Sequence, residues 1–446
     1  MFSAFGNSFK IPELRARILF TLGLIFVCRL IANIPTPGVD AGALQAMIAD
    51  LERQTGGGFL GLLDMFSGGA LQNVAIGALG IMPYISASII LQLMTAVVPS
   101  LERLAREGDA GRQKLTQYTR YLTVLICIVQ GIFLAMTLLN PGSLGLRGTV
   151  VTMSSVSFVI LATVCVTTGS MLIMWLGEQI TQRGIGNGIS LIITVGIVSR
   201  LPRAIAAAWQ MFTTVGTPFT IFHLVGLLIM LFLVIAGTIA VTQGQRKIMI
   251  QYAKRVVGNK VYGGQNTYMP LRINYSGVMP IIFAQSILMF PAIIFKKIDL
   301  PFFQKLGDLL AHESAVYMVL YGLMILFFSY FWVATQFHPV QIADDLKKHG
   351  GYVPGIRPGR ATAEYLDNTM TRITLAGAVF LTLIAVIPTL LATKLEIPWI
   401  VAAFFGGTSL LIMVGVMLDT MRQIESHLLM RHYDGFLTKG RLRGRR

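Results

Sequence analysis

The chain has 446 residues, of which 54% are hydrophobic and 13% are charged, and its formal net charge is +16. Soluble globular proteins carry about 25% charged residues, so this composition excludes an ordinary soluble domain. The three cysteines, Cys28, Cys127 and Cys165, all fall in apolar stretches. They are expected to be small buried residues, because their spacing suits neither a disulfide framework nor a metal site. The composition predicts an integral membrane protein.

Apolar runs of about twenty residues recur along the chain, and that length crosses roughly 30 Å of hydrocarbon. Ten runs predict ten membrane-spanning helices at about 18–34, 76–97, 121–139, 153–176, 188–205, 221–241, 276–295, 317–336, 373–392 and 399–420. The end of the fifth span is crowded by Arg200, Pro202 and Arg203. The first span follows basic residues, as a signal peptide does, but Arg29 and the turn at Pro35 favour a retained span.

The basic residues predict the orientation of these spans. The N-terminus, every second connection and the tail contain 27 Lys and Arg residues, whereas the opposite connections contain 8 when Arg200 and Arg203 at the end of the fifth span are counted with them. Lys and Arg concentrate on the cytoplasmic side of membrane proteins, so both termini are predicted to lie in the cytoplasm.

Two apolar segments of the first half recur in the second half. Residues 80–91 (GIMPYISASIIL) align with residues 277–288 (GVMPIIFAQSIL), and residues 188–196 align with residues 407–415. The predicted topology gives the two members of each pair opposite directions through the membrane. The sequence therefore predicts an inverted duplication with five spans in each half, an arrangement whose repeats meet at a central pathway. Chance similarity between helices rich in Ile and Gly is the alternative.

The duplication relates a set of branched aliphatic residues, which are candidates for a pore ring. They are Ile81, Ile85, Ile193, Ile282 and Ile412. If the two halves face each other, these side chains converge near mid-membrane as a narrow constriction that sheds water and opposes ion passage. Such a ring suits a large and variable cargo. Ordinary packing between helices is the alternative explanation for isoleucine at these positions.

Three connections are larger than joining two spans requires. The outer connection 35–75 contains an apolar stretch, Phe59 to Phe66, that is too short to cross a membrane and has glycines on both sides. It predicts a short re-entrant helix, with an amphipathic helix on the outer surface as the alternative.

The other two large connections lie on the predicted cytoplasmic side. Residues 242–275 contain six basic residues and no acidic residue, and their alternation predicts a projecting hairpin that fits an RNA-rich or acidic partner. Residues 337–372 carry mixed charges, and their Pro- and Gly-rich turns are expected to fix the loop without giving it a core. A solvated loop that serves only topology is the alternative for both.

Motifs of catalysis are absent from the sequence, which has no HExxH, no phosphate-binding loop and no pair of carboxylates within a span. We therefore expect no enzyme activity, no catalytic residue, no cofactor and no metal. Ion-coupled transporters place ionisable residues inside their bundles, and these spans contain very few. A secondary transporter with inverted repeats, which needs a polar pocket at mid-membrane, is the alternative function.

Five ordered motifs resemble the SecY family (SecY/Sec61-alpha), the channel-forming subunits of the Sec protein translocase. They are MFSGGA at 65–70, GIMPYISAS at 80–88, GEQITQRGIGNGIS at 177–190, VPGIRPG at 353–359 and FGGTSLL at 405–411. The similarity extends from the first span through the tenth. The resemblance implies a channel that translocates unfolded secretory polypeptides across the bacterial inner membrane and releases membrane helices laterally into it.

The fold implied is that of an all-α polytopic membrane protein, with ten transmembrane helices in two inverted five-helix halves around a central hourglass pore. The regions expected are a cytoplasmic N-terminus (1–17), an N-terminal half (18–205), an outer hinge (206–220), a C-terminal half (221–420) and a basic cytoplasmic tail (421–446). The five isoleucines would form the pore ring, and spans two and seven would form a lateral gate.

The resemblance also implies a plug helix and docking residues. The plug would cover about residues 59–70, with the apolar residues Phe59, Leu60, Leu62, Leu63, Met65 and Phe66. Lys254, Arg255 and Arg357 would dock the SecA motor ATPase or the ribosome. Further partners implied are SecE and SecG in a heterotrimer, signal sequences and nascent polypeptides, and membrane lipids. Energy would come from SecA, the ribosome or the membrane potential, without a cofactor.

Overall fold

A computed structural model describes most of the chain. The described residues are 11–40, 42–44, 67–140, 151–213, 221–252, 255–257, 260–262, 266–275, 277–297, 301–310, 314–394, 397, 401, 404 and 408–439. The chain divides into two compact units. The first comprises Met1–Thr214, Pro398–Val401 and Ile412–Arg446, and the second comprises Val215–Ile397 and Ala402–Leu411.

Helices dominate both units. Those of the first unit are α1 (Pro12–Ile31), α2 (Met82–Val97), α3 (Pro99–Arg106), α4 (Asp109–Leu139), α5 (Ser155–Arg183), α6 (Gly188–Ser199) and α7 (Leu201–Thr213). Those of the second unit are α8 (Ile221–Gln243), α9 (Met279–Lys297), α10 (Pro301–Leu309), α11 (Ala315–Gln336), α12 (Pro339–Lys348) and α13 (Arg360–Lys394). The last helix, α14 (Thr408–Lys439), belongs to the first unit from residue 412 onward.

A helix lies at each of the ten predicted spans. Among the described residues, six helical stretches are long and apolar enough to cross a membrane, and the bent pair α2 and α3 raises the number to seven. The bend of 101° follows Val98, whose extended backbone precedes Pro99. A residue before proline is disfavoured in the helical conformation, so the span ends there and α3 leaves in a new direction.

The fifth span is longer than its sequence indicated. Helix α6 ends at Ser199 and α7 begins at Leu201, and together they form one apolar stretch, Gly188–Thr213. Pro202 is tolerated because it falls in the first turn of α7, where a backbone N–H has no partner within the helix. The charged residues at 200 and 203 therefore mark a break within the stretch rather than its end.

Small residues let the helices of the first unit approach closely. A Cβ atom added to Gly131 of α4 would lie 3.3 Å from Thr163 Cα of α5, and one added to Gly169 would lie 2.2 Å from the carbonyl oxygen of Ile76. Packing of this kind is typical of membrane helices, where small side chains let backbones approach closely enough for van der Waals contacts to hold the helices together. Large apolar side chains such as Phe26 of α1 and Leu125 of α4 are exposed instead.

The basic connection of the second unit forms the predicted hairpin. Strand β1 (Gln245–Tyr252) pairs antiparallel with β4 (Asn266–Arg272), and the short strands β2 (Arg255–Val257) and β3 (Lys260–Tyr262) pair farther along it. On its other edge β1 pairs with β5 (Gly351–Tyr352) from the second large connection. The two connections thus share one three-stranded sheet.

The expectation that residues 337–372 lack a core is wrong. One side of the sheet packs with the second connection and the start of α13 in a single apolar cluster of Ile248, Leu271, Phe337, Val353, Leu366 and Met370. The alternation of β1 points Ile248 to the face that needs cover, and helix α13 supplies that cover. We call this sheet, α12 and the first turns of α13 the loop platform.

Candidate functional site

The first pair of duplicated segments has the same local structure in both copies. Gly80 and Gly277 adopt positive φ angles of 56° and 63°, and a helix begins two residues later, at Met82 and at Met279. Proline is the second residue of each helix, where its missing N–H costs nothing. The shared backbone geometry favours a true duplication over chance similarity.

All five candidate ring isoleucines are buried, with exposed fractions between 0% and 7%. Ile90, on the same helix as Ile85, is 41% exposed, so burial follows position on the helix and not residue type. Four of the five lie in the first unit, and Ile282 lies in the second. Their assignment to a ring stays a prediction.

Buried polar atoms follow the isoleucines on both duplicated helices. Ser86 Oγ and Gln285 Oε1 have no hydrogen-bond partner within the described part of the chain, whereas Ser286 Oγ donates to the carbonyl oxygen of Ile282 at 2.8 Å. Buried polar atoms are normally satisfied by protein, water or a ligand. These two atoms are therefore candidates for a hydrogen bond to buried water.

The predicted plug residues 59–66 lie outside the described residues, but the segment that follows them is well defined. Arg29 Nη1, from the last turn of α1, donates to the carbonyl oxygen of Gly68 at 2.9 Å. Ser199 Oγ, from the end of α6, lies 3.3 Å from the same oxygen and 2.7 Å from the carbonyl oxygen of Gly196. The last residues of the predicted plug are thus held by two helices of the first unit.

A small cavity lies between Arg29, which holds Gly68, and the candidate ring residue Ile81. Its volume is about 30 Å³, which is room for water rather than for a solute, and its lining includes Arg29, Ser67, Gly80, Ile81 and Gly196. Pockets for small molecules are about 300–1,000 Å³. The cavity therefore does not supply the polar mid-membrane pocket that a secondary transporter needs.

The glycine-rich motif at 177–190 joins four helices of the first unit. Thr21 Oγ1 of α1 accepts a hydrogen bond from the Ile185 N–H at 3.1 Å, and Gln423 Oε1 of α14 accepts one from the Gly186 N–H at 2.8 Å. A Cβ atom on Gly188 would lie 2.0 Å from the carbonyl oxygen of Gly177. The motif is therefore a tight connection between α5 and α6 that also binds α1 and α14.

One ion pair stabilises the packing of α4 on α5. Arg120 Nε and Nη2 donate to the two carboxylate oxygens of Glu178 at 3.1 and 2.6 Å. This two-pronged geometry fixes both side chains. No cluster of residues that could hold a metal ion occurs among the described residues.

The predicted docking residues are described only in part. Arg357 is exposed at the edge of the loop platform, and its carbonyl oxygen accepts a hydrogen bond from Thr362 Oγ1 at 2.9 Å. Lys254 lies outside the described residues, and Arg255 is described as part of β2, where it pairs with Tyr262. Exposed Arg246, Lys247 and Arg272 add positive charge to the sheet.

Sequence reasoning missed two groups of residues. Arg29 was notable as a charge within an apolar span, but nothing in the sequence indicated that Gly68 is its partner. The core of the loop platform was also missed, although alternating apolar residues in β1 were a signal that this strand needs a cover.

Comparison with known proteins decides the family. The family model of SecY matches residues 75–421. The chain belongs to the SecY family. A protein translocase subunit SecY of Streptomyces galbus is 44% identical over 449 residues, which cover 98% of this chain and all of the relative. The SecY of Thermotoga maritima is 42% identical over 449 residues, and the alignment covers all of both chains.

Solved structures share the fold at lower identity. A protein-conducting channel matches with a TM-score of 0.63 and 17% identity, over 93% of this chain and 92% of that one. A SecY structure describing a plug domain that stabilises the closed state matches with a TM-score of 0.60 and 16% identity, over the same fractions. Sec61 in the canine ribosome–channel complex matches with a TM-score of 0.58 and 16% identity, again over 93% and 92%.

These matches confirm several expectations from the sequence. The chain is a helical, multi-pass membrane protein, and the ten membrane-spanning helices expected from the sequence are consistent with the SecY fold. As a member of the SecY family it is a channel for protein translocation and not an enzyme. The loop platform adds a small sheet to this helical architecture.

Proposed function

We propose that this chain forms the channel through which unfolded secretory polypeptides cross a bacterial inner membrane, and from which membrane helices pass sideways into lipid. The observation that carries the proposal is the duplicated segment, which repeats the same glycine turn and helix start and buries its isoleucine in both copies. Matches to SecY relatives over the full length support it.

In this proposal Ile81, Ile85, Ile193, Ile282 and Ile412 form the ring that closes the waist, and the plug covers residues 59–70. A ring of aliphatic side chains excludes ions by dewetting, yet it grips no particular sequence. The lateral gate lies between α2 and α9, the helices that carry the first duplicated pair. The two inverted halves, 18–205 and 221–420, move about the outer hinge at 206–220.

The loop platform is the proposed docking surface for the ribosome and for the SecA motor, which supply the energy that a passive channel lacks. Exposed basic residues without neighbouring acids on β1 and β4 favour an anionic partner. SecE and SecG complete the proposed heterotrimer. Both termini face the cytoplasm in this arrangement, as the distribution of Lys and Arg requires.

Site-specific crosslinking to a stalled nascent chain tests this function. A photoreactive residue at position 85 should crosslink to a translocation intermediate, whereas one at position 90, on the outward side of the same helix, should crosslink to lipid. Equal crosslinking of the nascent chain at both positions would contradict the proposed path. Saturable uptake of a small solute by proteoliposomes would favour the transporter alternative.

A further inference from the structure

Arg29 is a charged side chain inside the first predicted span. Placing arginine at membrane depth is costly, and such residues usually make a functional contact. Its position in the last turn of α1 explains part of its presence, because a positive charge stabilises the C-terminal end of a helix. That effect does not require the guanidinium to reach the carbonyl oxygen of Gly68, 39 residues away.

Gly68 and Gly69 both adopt left-handed backbone conformations, with φ angles of 65° and 93°, but their surroundings differ. A Cβ atom on Gly68 would lie 2.5 Å from Arg29 Nη1 and 2.7 Å from Gly196 Cα, whereas one on Gly69 would meet nothing within 4 Å. Gly68 is therefore wedged between α1 and α6, and only glycine fits there. The next residue is unconstrained by neighbours.

Two other side-chain contacts of this segment are weaker. The single proton of Ser199 Oγ is shared between two carbonyl oxygens, and the nearer one belongs to Gly196. Arg203 Nη1 donates to Gln72 Oε1 at an exposed position, where water competes for both groups. The Arg29 bond is charge-assisted and half-buried, so it is the strongest of the three.

We propose that Arg29 is a positioning residue for the plug, and that its guanidinium holds the Gly68 carbonyl as a fixed anchor at the plug's C-terminal end. This inference rests on the proposed function, because it requires a plug at 59–70. The acceptor is a backbone atom, so the anchor holds the segment whatever the plug side chains are. The cavity that Arg29 shares with Ile81 places the anchor beside the candidate ring.

Labelling of the plug tests the anchor in proteoliposomes that contain the complete translocase complex. A cysteine is introduced at Phe66, with Cys28, Cys127 and Cys165 replaced by alanine, and an impermeant maleimide is added from the outer side. Arg29→Gln should raise both the labelling rate and the resting ion conductance by about tenfold, because the plug loses its fixed end. Arg29→Lys should restore part of the parental behaviour, since it keeps the charge but loses the planar, fixed geometry of the guanidinium.

A matched control is Arg203→Gln, which removes the exposed arginine of α7 that donates to Gln72, and it should leave labelling and conductance near those of the parent. Gly68→Ala supplies a second variant, because its methyl group displaces the guanidinium without removing the charge; it should reproduce Arg29→Gln. Parental labelling and conductance in Arg29→Gln, or complete restoration by lysine, would overturn the anchor and leave only a role at the helix end.

Deletion of residues 59–66 separates this inference from the function on which it rests. If the deletion raises conductance but Arg29→Gln does not, the anchor is wrong and the plug assignment stands. If neither change raises conductance, the plug assignment fails and the anchor fails with it. Increases in both, with the larger one in the deletion, are the expected result.

Discussion

The duplicated membrane segments and the loop platform are built on different principles. The membrane segments occur twice with the same turn and helix start, and their isoleucines are buried in both copies. The loop platform occurs once, and it joins residues about 100 positions apart through a two-residue strand and a shared core. In the proposed function the first arrangement belongs to the seal and the second to the docking surface.

This comparison predicts that the two regions can be damaged separately. The largest effect is expected from the double variant Ile85→Ser and Ile282→Ser, because hydroxyl groups at the waist let water and ions enter. Resting conductance in planar bilayers should rise at least about tenfold, while binding of ribosomes is unchanged. Ile90→Ser is the matched control on the exposed side of α2, and it should not leak. Unchanged conductance in the double variant would remove these residues from the ring.

The next largest effect is expected in the platform core. Phe337→Ala empties a buried position that also makes an edge-to-face contact with Tyr275, and losses of this kind cost about 3–5 kcal/mol. The platform should become sensitive to protease within residues 242–275, and affinity for the ribosome should fall about tenfold, a change of about 1.4 kcal/mol. Resting conductance should stay at the parental value. Val340→Ala, on the exposed side of α12, is the control, and a leak in Phe337→Ala would contradict separate roles.

A smaller and more selective effect is expected from a charge on the platform surface. Arg357→Glu reverses an exposed charge, while the Arg357 carbonyl keeps its bond to Thr362, so the local fold should persist. SecA-driven secretion should fall about tenfold, and insertion by ribosomes less than about twofold, because rim charges act through specific partners. Arg360→Glu nearby is the control. Equal losses of secretion and of insertion would contradict a role of Arg357 that is specific to SecA.

The sequence predicted the membrane segments better than the loop platform for a physical reason. A spanning helix must be apolar over its whole length, so a short stretch of sequence is enough to predict it. The repeat around Pro83 and Pro280 also related two distant helices from the sequence alone. Strand β5 is two residues long and carries no pattern of its own. Its pairing with β1 depends on tertiary packing, so the prediction that residues 337–372 lack a core was wrong.

The plug anchor was hidden from the sequence for a different reason. Arg29 was visible as an isolated charge, but its acceptor is a backbone carbonyl, and every residue has one. Side-chain identity therefore gave no indication of the partner. The clue at Gly68 was the paired glycines, and only the close approach of Gly196 explains why the first of them cannot carry a side chain.

The smallest effect tests how alike the two copies of the duplicated segment are. Gly80→Ala and Gly277→Ala each force a side chain into the left-handed region, at a cost of about 1–2 kcal/mol. No atom lies within 4 Å of a Cβ at position 277, so strain alone should lower the unfolding temperature of the purified complex by a few degrees. Gly226→Ala, in an open position within α8, is the control and should be neutral or stabilising. Gly80 also lines the cavity beside Arg29 and Ile81. In addition to the lower unfolding temperature, Gly80→Ala should therefore raise the resting ion conductance, whereas Gly277→Ala should not. Equal increases in ion conductance in the two variants would contradict the expected difference between the two copies of the segment.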